Sequence, residues 1–457
     1  MINQYGAHVL VVGAGVTGTS VENVLTQLGA RVSLVDELSA IVDRPNLVTI
    51  EAAEKMDFDY VVVSPGWKIT HPFLQGLMAR SVDLISEIDL AWKIKAERIP
   101  SQKWIGITGT NGKTTTVELT AAILNAGGLR AAACGNLGDT VIDAVMDDRD
   151  FEFLVVELSS FQLEWSTLPS YFASAILNIA DDHSDWHGSF EKYVQAKLRI
   201  LENTDIAILN GDDGVVVEQT AKWTGRKVFY TLDSPKPGEV GVVEDLLIDR
   251  AFVADPQEAQ VLAELKDIQP VAAHAVSNTL AAAALARLAG IASPDIQETV
   301  RTFRPGRHRI EKILERDGVA WINDSKATNP HAAAASLQSF SSVIWIAGGI
   351  AKGANFSDLI EKVSSKIKVA ILIGVDRERI AAELERWAPQ IPIIRIEGEK
   401  SDGFALMARV VEAARKHSTS GDVVLLAPAS ASMDQFTNYA SRGDFFRDAV
   451  LATVSQM

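Results

Sequence analysis

The stretch GTNGKTT, residues 109–115, has the residue types and spacing of a triphosphate grip. Gly109 and Gly112 let backbone N–H groups approach phosphate oxygens, Lys113 supplies a point charge, and Thr114 offers a hydroxyl to Mg²⁺. The strict spacing asks for glycine at 107, where the chain has Ile107 with Gly106 one place early, so a glycine turn with a surface lysine is the alternative. An apolar strand before the turn, and TVELTAAIL after it as a helix whose N-terminus faces the phosphates, favour the triphosphate site. Such a site needs a carboxylate for metal at a neighbouring strand end, and Glu157 in FLVVELSS stands there. Further on, Asp181, Asp182, His183, Asp185 and His187 read as a solvated acidic loop, except that His183 suits a second metal. Lys197, on residue type alone, is a solvated helix lysine.

The earlier stretch VVGAGVTG, residues 11–18, raises a different chemistry. Gly13, Gly15 and Gly18 in G-x-G-x-x-G spacing follow an apolar run from Val9 and precede a short strand ending at Asp36, the pattern of a dinucleotide-binding turn. Alone it points to a nicotinamide or flavin oxidoreductase, which leaves GTNGKTT and Glu157 unexplained. A nucleotide-gated binding protein without bond-forming chemistry is another rival.

Positioning two such turns takes more than one core. At 457 residues the chain exceeds a single domain, and three are expected. With 47% hydrophobic and 22% charged residues the composition is globular. A net charge of −16 repels a polyanion from most of the surface, so no nucleic-acid partner is expected, although local phosphate pockets remain open. One cysteine, Cys134, excludes an intrachain disulfide and a cysteine metal cluster and fits a reducing cytoplasm. The first apolar run turns at once into a glycine loop, as a strand does and a signal peptide does not. No window approaches the roughly 18 to 20 apolar residues that span a bilayer, so a soluble cytoplasmic protein without membrane contact, and a monomer, is expected.

Strand and helix alternate from the start, which gives an α/β class with mostly parallel sheets. HVLVVGAG, RVSLVDE and YVVVSPG mark a first module over residues 1–97, ending in the charged, proline-interrupted KIKAERIPSQK at 93–103. WIGITG, LRAAACGN, FEFLVVELSS, FASAILNIA and IAILNGDD mark a second over 98–304, with a small antiparallel excursion in 229–267 and an alanine-rich closing helix in 272–290. VAWIND, SVIWIAGG, VAILIG, IPIIRI and DVVLLAP mark a third over 305–457.

GTNGKTT, ELSSFQLE, NIADDHSDWHGS followed by AKLRI, WINDSKATNP and LLAPASASMDQF, in that order, resemble the Mur ligase family of bacterial peptidoglycan synthesis. The resemblance covers nearly the whole chain. GTNGKTT alone reaches a wider group that includes folylpolyglutamate synthases, whereas WINDSKATN and SASMDQF point to the branch that adds D-glutamate. A sister ligase adding a different amino acid is the alternative. The resemblance implies a Rossmann-like N-terminal domain for the uridine substrate, a central P-loop ATPase-like domain, and a Rossmann-like C-terminal domain for the amino acid. It also implies the reaction: a carboxylate of UDP-N-acetylmuramoyl-L-alanine attacks the γ-phosphate of ATP, and the amine of D-glutamate displaces phosphate from the acyl phosphate. Productive geometry then requires the third module to close on the second.

The implied site residues follow position by position. Gly15, Thr17, Asp36, Ser64 and Gly66 would meet the uridine nucleotide, with Asn136, Ser159 and Gln162 near the diphosphate and sugar. Gly109, Thr110, Asn111, Gly112, Lys113, Thr114 and Thr115 would hold ATP together with Asn278, Arg309 and Asp324, while His308 is structural. Ala275 stands where a relative carries asparagine, which removes a candidate adenine contact. Two Mg²⁺ ions are implied, one on Thr114 and Glu157, the other on His183 and a carbamylated Lys197; Lys113, His183 and Lys197 would be catalytic. Lys326, Thr328, Lys352, Ser432 and Tyr439 would receive D-glutamate, Tyr439 replacing a phenylalanine.

Overall fold

The computed structural model describes residues 5–37, 44–255, 257–270 and 272–454. Its class is the expected α/β: uninterrupted Val, Leu and Ile runs become strands whose residues are buried on both faces. Packing divides the described residues into two compact units, one within Met1–Ile179, Trp186–Ile268 and Val276–Phe303, the other within Ala180–Asp185, Gln269–Ala275 and Arg304–Met457.

The first unit holds two sheets. Four parallel strands lie in the order Arg31–Val35, His8–Val12, Tyr60–Val63, Leu84–Ser86. The glycine turn leaves His8–Val12 and enters the helix Val16–Gln27. After the last strand, Ser86 and Asp89 form a capping box that starts the helix Glu87–Arg98. The charged stretch 93–103 is therefore helical as far as Arg98, and Lys95 within it is buried, donating to the Pro100 carbonyl at 2.8 Å. Its long stem packs inside while its ammonium reaches a backbone acceptor.

The second sheet has nine strands. Its parallel part runs Arg226–Tyr230, Ile206–Asn210, Ala173–Ile176, Lys103–Thr108, Phe153–Glu157, Ala131–Gly135. The antiparallel excursion is present as Val240–Val243, Leu246–Asp249 and Gln260–Glu264. Lys103–Thr108 lies between two parallel neighbours, with Ile107 beside Glu157 and Thr108 beside Ile176. The turn that follows it thus opens between carboxyl ends of strands, where ligands meet parallel sheets. The alanine-rich helix runs Ala273–Leu288, and a further helix, Ser293–Thr302, follows it with Ile296 and Val300 buried one turn apart. Its proline in the first turn and its Asp, Gln and Glu residues mask that amphipathic face in the composition.

Buried and half-buried carboxylates tie the helices around the two sheets together. Glu87 Oε1 accepts from Ile142 N at 2.7 Å, at the start of the helix Val141–Met146. Asp89 Oδ1 accepts from Thr167 N and Leu168 N, both at 2.9 Å, and Asp143 accepts from Ser20 Oγ at 2.6 Å.

The second unit holds a six-stranded sheet in the order Glu311–Arg316, Val319–Asn323, Val423–Leu426, Val343–Gly348, Ile367–Ile373, Ile393–Arg395. All neighbours are parallel except the first pair. That edge strand, EKILER, was not expected because its charges mask the alternation. The turn after it carries the missing signal: Asp317 and Gly318 both have positive φ, 53° and 76°, as a two-residue hairpin requires. Among the described residues no helix is long and apolar enough to cross a membrane.

Candidate active site

The turn GTNGKTT leaves the strand Lys103–Thr108 and enters the helix Lys113–Ala126, with Gly112 at its N-cap in the left-handed region at φ 83°. A side chain there would also collide with Asn278 Oδ1, so glycine is required twice over and Asn278 is pressed against the loop. Asn178 braces the other side, its Oδ1 accepting from Asn111 N at 2.8 Å and its Nδ2 donating to Asn111 O at 3.0 Å. Thr110 Oγ1 lies 2.9 Å from the Tyr193 hydroxyl. Lys113 folds over the turn, donating to the carbonyls of Gly109 at 2.9 Å and Thr110 at 3.0 Å. Thr114 is buried in the first helical turn, followed by the half-buried Thr115.

Glu157 ends the adjacent strand and is 2% exposed. Its Oε1 accepts from Asn136 Nδ2 at 2.9 Å, whereas its Oε2 is buried with no hydrogen-bond partner among the described residues. A buried carboxylate oxygen left open is costly, and a cation is the group that answers it. Among the described residues no three His, Cys, Asp or Glu side chains gather into a metal-binding group. The oxygen donors of Thr114 and Glu157 suit a hard cation such as Mg²⁺, which commonly completes its coordination with phosphate and water.

Lys197 differs from its expectation as a solvated lysine. It lies on the helix Phe190–Leu198, is 1% exposed, and donates to Gly109 O at 2.8 Å and to Thr108 Oγ1 at 3.4 Å. Its Nζ also sits 4.8 Å from the Tyr193 ring centroid. His187 is likewise not solvated: it is buried, 3.0 Å from Ser160 Oγ, and stacked on Phe161. Aromatic neighbours on both sides of the loop, Phe161 and Trp186, draw it inward. Asp181 and Asp185 are exposed as expected. Asp182 accepts from Asn329 Nδ2 at 3.1 Å, and His183 has φ 55° with its Nε2 3.8 Å from Asp182 Oδ2. Both pack with the second unit.

The same helix turns another face to a cleft of about 710 Å³, lined by Lys68, Thr70, Glu164, Trp186, Lys192 and Arg199 among others. No residue of the phosphate turn lines it.

At the first turn, Gly13 has φ 102°, and a side chain on it would come 2.6 Å from Ser64 Oγ. A side chain on Gly18 would run into the Gly13 carbonyl, so this glycine brings helix and strand together. Asp36 Oδ2 accepts from Ala14 N at 2.6 Å and so shapes the turn itself. Gly15 is exposed at the helix N-cap, Thr17 is half-buried beside it, and Ser64 Oγ is buried without a hydrogen-bond partner among the described residues. Gly66 accepts from Trp186 Nε1 at 3.4 Å. Ser159 and Gln162 form the capping box of the helix Ser160–Trp165, so their side chains are already engaged with each other.

The remaining residues belong to the second unit. Asp324 is buried, which raises its pKa to about 6 against the opposing pull of Ile310 N and Arg309. Arg309 is half-buried, and His308 is buried with Nδ1 2.9 Å from Asn323 Nδ2. Lys326 lies with Nζ 4.1 Å from the Tyr439 ring centroid, and Thr328 follows in the same loop. Ser432 is buried, while Lys352 is exposed in the left-handed region at φ 48°. Among residues that hold the phosphate turn, Asn178 and Tyr193 went unread in the sequence. Asn178 carries a usable signal, since it follows the strand Ala173–Ile176 directly beside the turn-bearing strand.

Both units contain stretches that match known protein families. The family described as Mur ligase middle domain matches residues 107–286, and that described as Mur ligase, glutamate ligase domain matches residues 308–430. The UDP-N-acetylmuramoylalanine--D-glutamate ligase of Streptomyces coelicolor is 42% identical over 97% of this chain and 98% of its own length. The protein of the same name from Thermobifida fusca is 44% identical over 98% of each. Among solved structures, the UDP-N-acetylmuramate-alanine ligase MurC of Thermotoga maritima superposes with a TM-score of 0.60 at 16% identity, over 98% of this chain and 100% of that one. The MurF ligase of Thermotoga maritima in complex with ADP gives 0.58 at 15% identity, over 100% and 97%. At such identities these structures speak for the fold.

Proposed function

This chain belongs to the Mur ligase family, and from that premise we propose that it joins D-glutamate to UDP-N-acetylmuramoyl-L-alanine with hydrolysis of ATP, in the cytoplasm. The carboxylate of the alanyl residue attacks the γ-phosphorus and ADP leaves. The D-glutamate nitrogen then attacks the acyl carbon, the C–O bond to phosphate breaks, and the nitrogen gives up a proton. Activation is required because a carboxylate is a poor electrophile.

One observation carries the reading: a lysine-bearing phosphate turn stands one strand away from a buried glutamate whose second oxygen lacks a partner. Backbone N–H groups at the helix Lys113–Ala126 hold the phosphates, and Lys113 leaves its two carbonyls to meet the γ-phosphate as charge shifts. Thr114 and Glu157 would hold a Mg²⁺ ion, which would supply further charge neutralisation at the phosphates. Asn278, Arg309 and Asp324 contact the nucleotide, and His183 serves as a metal ligand. We assign residues 1–97 to the uridine substrate, through Gly15, Thr17, Asp36, Ser64 and Gly66, with Asn136, Ser159 and Gln162 beyond them. Residues 98–304 take ATP and 305–457 take D-glutamate, through Lys326, Thr328, Lys352, Ser432 and Tyr439.

Lys197 is assigned a carbamate. Its near-complete burial against the phosphate turn supports this, since CO₂ capture turns a buried cation into an anion suited to metal. Protein incubated with ¹³C-bicarbonate should give a carbamate carbon resonance that Lys197→Ala lacks; an identical spectrum from the variant removes the assignment. The function itself is tested by phosphate release from ATP with UDP-N-acetylmuramoyl-L-alanine against a panel of amino acids. D-glutamate should be required, and turnover with another amino acid alone would overturn the substrate assignment.

A further inference from the structure

Arg442, on the helix Tyr439–Val454, is fully buried. Its Nε donates to Ser325 Oγ and its Nη2 to Ser325 O, both at 3.0 Å. Its Nη1 donates to Ser430 O at 3.1 Å and to Gly348 O at 3.4 Å. These acceptors stand at the carboxyl ends of three neighbouring strands, Val319–Asn323, Val423–Leu426 and Val343–Gly348. Ser325 in turn donates from Oγ to Tyr439 O at 2.7 Å.

The three loops are also knitted backbone to backbone. Ala429 N donates to Ala327 O at 2.9 Å, and Gly348 N to Pro428 O at 2.8 Å. Ile350 and Ala431 exchange N–H···O bonds of 2.8 and 3.0 Å. Gly349, at φ 136°, leaves no room for a side chain against the Ala431 carbonyl. Burial presses the Arg442 pKa down to about 9, with Asp434 opposing the shift. A charge kept inside at such cost, where apolar side chains would pack more cheaply, calls for a task beyond filling space.

We propose that Arg442 is a positioning residue for the amino-acid site, its rigid fork fixing the spacing of the loops that carry Lys326, Thr328, Lys352 and Ser432. A dicarboxylate is gripped at two points, so the separation of its contacts sets its affinity. The inference rests on the proposed D-glutamate contacts. Its logic is that a guanidinium reaches four acceptors in fixed directions, whereas an ammonium cannot satisfy the same set.

Arg442→Lys keeps the charge and loses the fork. It should raise the KM for D-glutamate by about tenfold, the scale of one lost charged hydrogen bond, while the KM values for ATP and the uridine substrate stay within about twofold. Ser325→Ala is a milder change that removes only the Nε acceptor and the Tyr439 bond. It should move the same KM by about threefold, and the double variant should fall short of the product of the two. If the lysine variant does not fold, Ser325→Ala alone decides. Equal shifts in all three KM values, or a loss confined to kcat, would show a merely structural residue and overturn the proposal. Wild-type protein is assayed first: turnover with a different amino acid would sink the D-glutamate reading, and the same split is then read with that amino acid.

Discussion

The two glycine turns of the first unit use one backbone device for two different ends. Each leaves the carboxyl end of a parallel strand and opens a helix, and each needs glycine because a neighbour stands too close for a side chain. At the first turn the shaping group is a carboxylate, Asp36, bound to Ala14 N, and residues 13–18 contain no lysine. At the second the shaping group is a neutral amide, Asn178, and Lys113, Lys197 and Glu157 crowd the loop or the strand beside it. Backbone donors at a helix N-terminus suffice to hold a diphosphate. Moving a phosphoryl group takes a mobile cation and a carboxylate for metal as well, and of the two turns the second has a lysine and a buried carboxylate beside it.

The largest effect should come from removing the cation that separates the two. Lys113→Ala is expected to lower kcat for phosphate release by about a thousandfold, with little change in thermal midpoint because the side chain is only half-buried. Asp36→Asn, at the other turn, should instead raise the KM for the uridine substrate by about tenfold and leave kcat within about threefold. A Lys113→Ala variant with more than a tenth of wild-type kcat would erase the distinction.

A smaller effect, on folding, tests the part the turns share. Gly18→Ala forces a methyl into the Gly13 carbonyl and should cost about 1–3 kcal/mol or more, seen as a lower denaturation midpoint. Gly15→Ala meets open space at an ordinary φ of −74° and should leave the midpoint unchanged, acting only on the uridine-substrate KM. Equal midpoints for both variants would mean that the close approach at Gly18 relaxes without cost.

What the sequence discloses follows from range. Strand runs such as HVLVV and FLVVE, and the turns between strand and helix, depend on neighbours in the chain, and they stand where expected. The same holds for the antiparallel excursion. Features set by distant partners were opaque. His187 read as solvated, and Lys95 and Arg442 passed unnoticed in KIKAERIPSQK and ASRGDFF, because a charged or polar side chain goes inside only when remote acceptors await it. Lys197 shows the limit most plainly: on residue type it is a surface lysine, and its burial follows from the turn 109–112, far away in sequence, resting on its helix. EKILER shows the converse, a strand hidden by charges and betrayed only by the Asp317–Gly318 turn after it.

A last effect, confined to the pH dependence of folding, concerns how both turns are held in one unit. Glu87 is buried, caps the start of the helix Val141–Met146, and faces Asp143 and Asp89. Burial raises its pKa from 4.5 to about 7, with the bonds from Ile142 N and Val141 N pulling the other way. A carboxyl group with a raised folded pKa favours the protonated native state. Its contribution is whole below the unfolded pKa of 4.5 and is lost as pH rises through about 7. Above that pH the native state carries a buried anion, at a cost of about 3 kcal/mol. Glu87→Gln keeps the acceptor for Ile142 N and discards the charge. The variant should therefore melt at or near the wild-type temperature at pH 5 and a few degrees above it at pH 8, with kcat within about twofold. A variant less stable than wild type at pH 8 would mean that the anion is favoured where it lies, as an anion at a helix N-terminus can be. In that case Glu87 and Asp36 would share one role, attraction to backbone N–H groups, and the contrast between the two turns would rest on Lys113, Lys197 and Glu157.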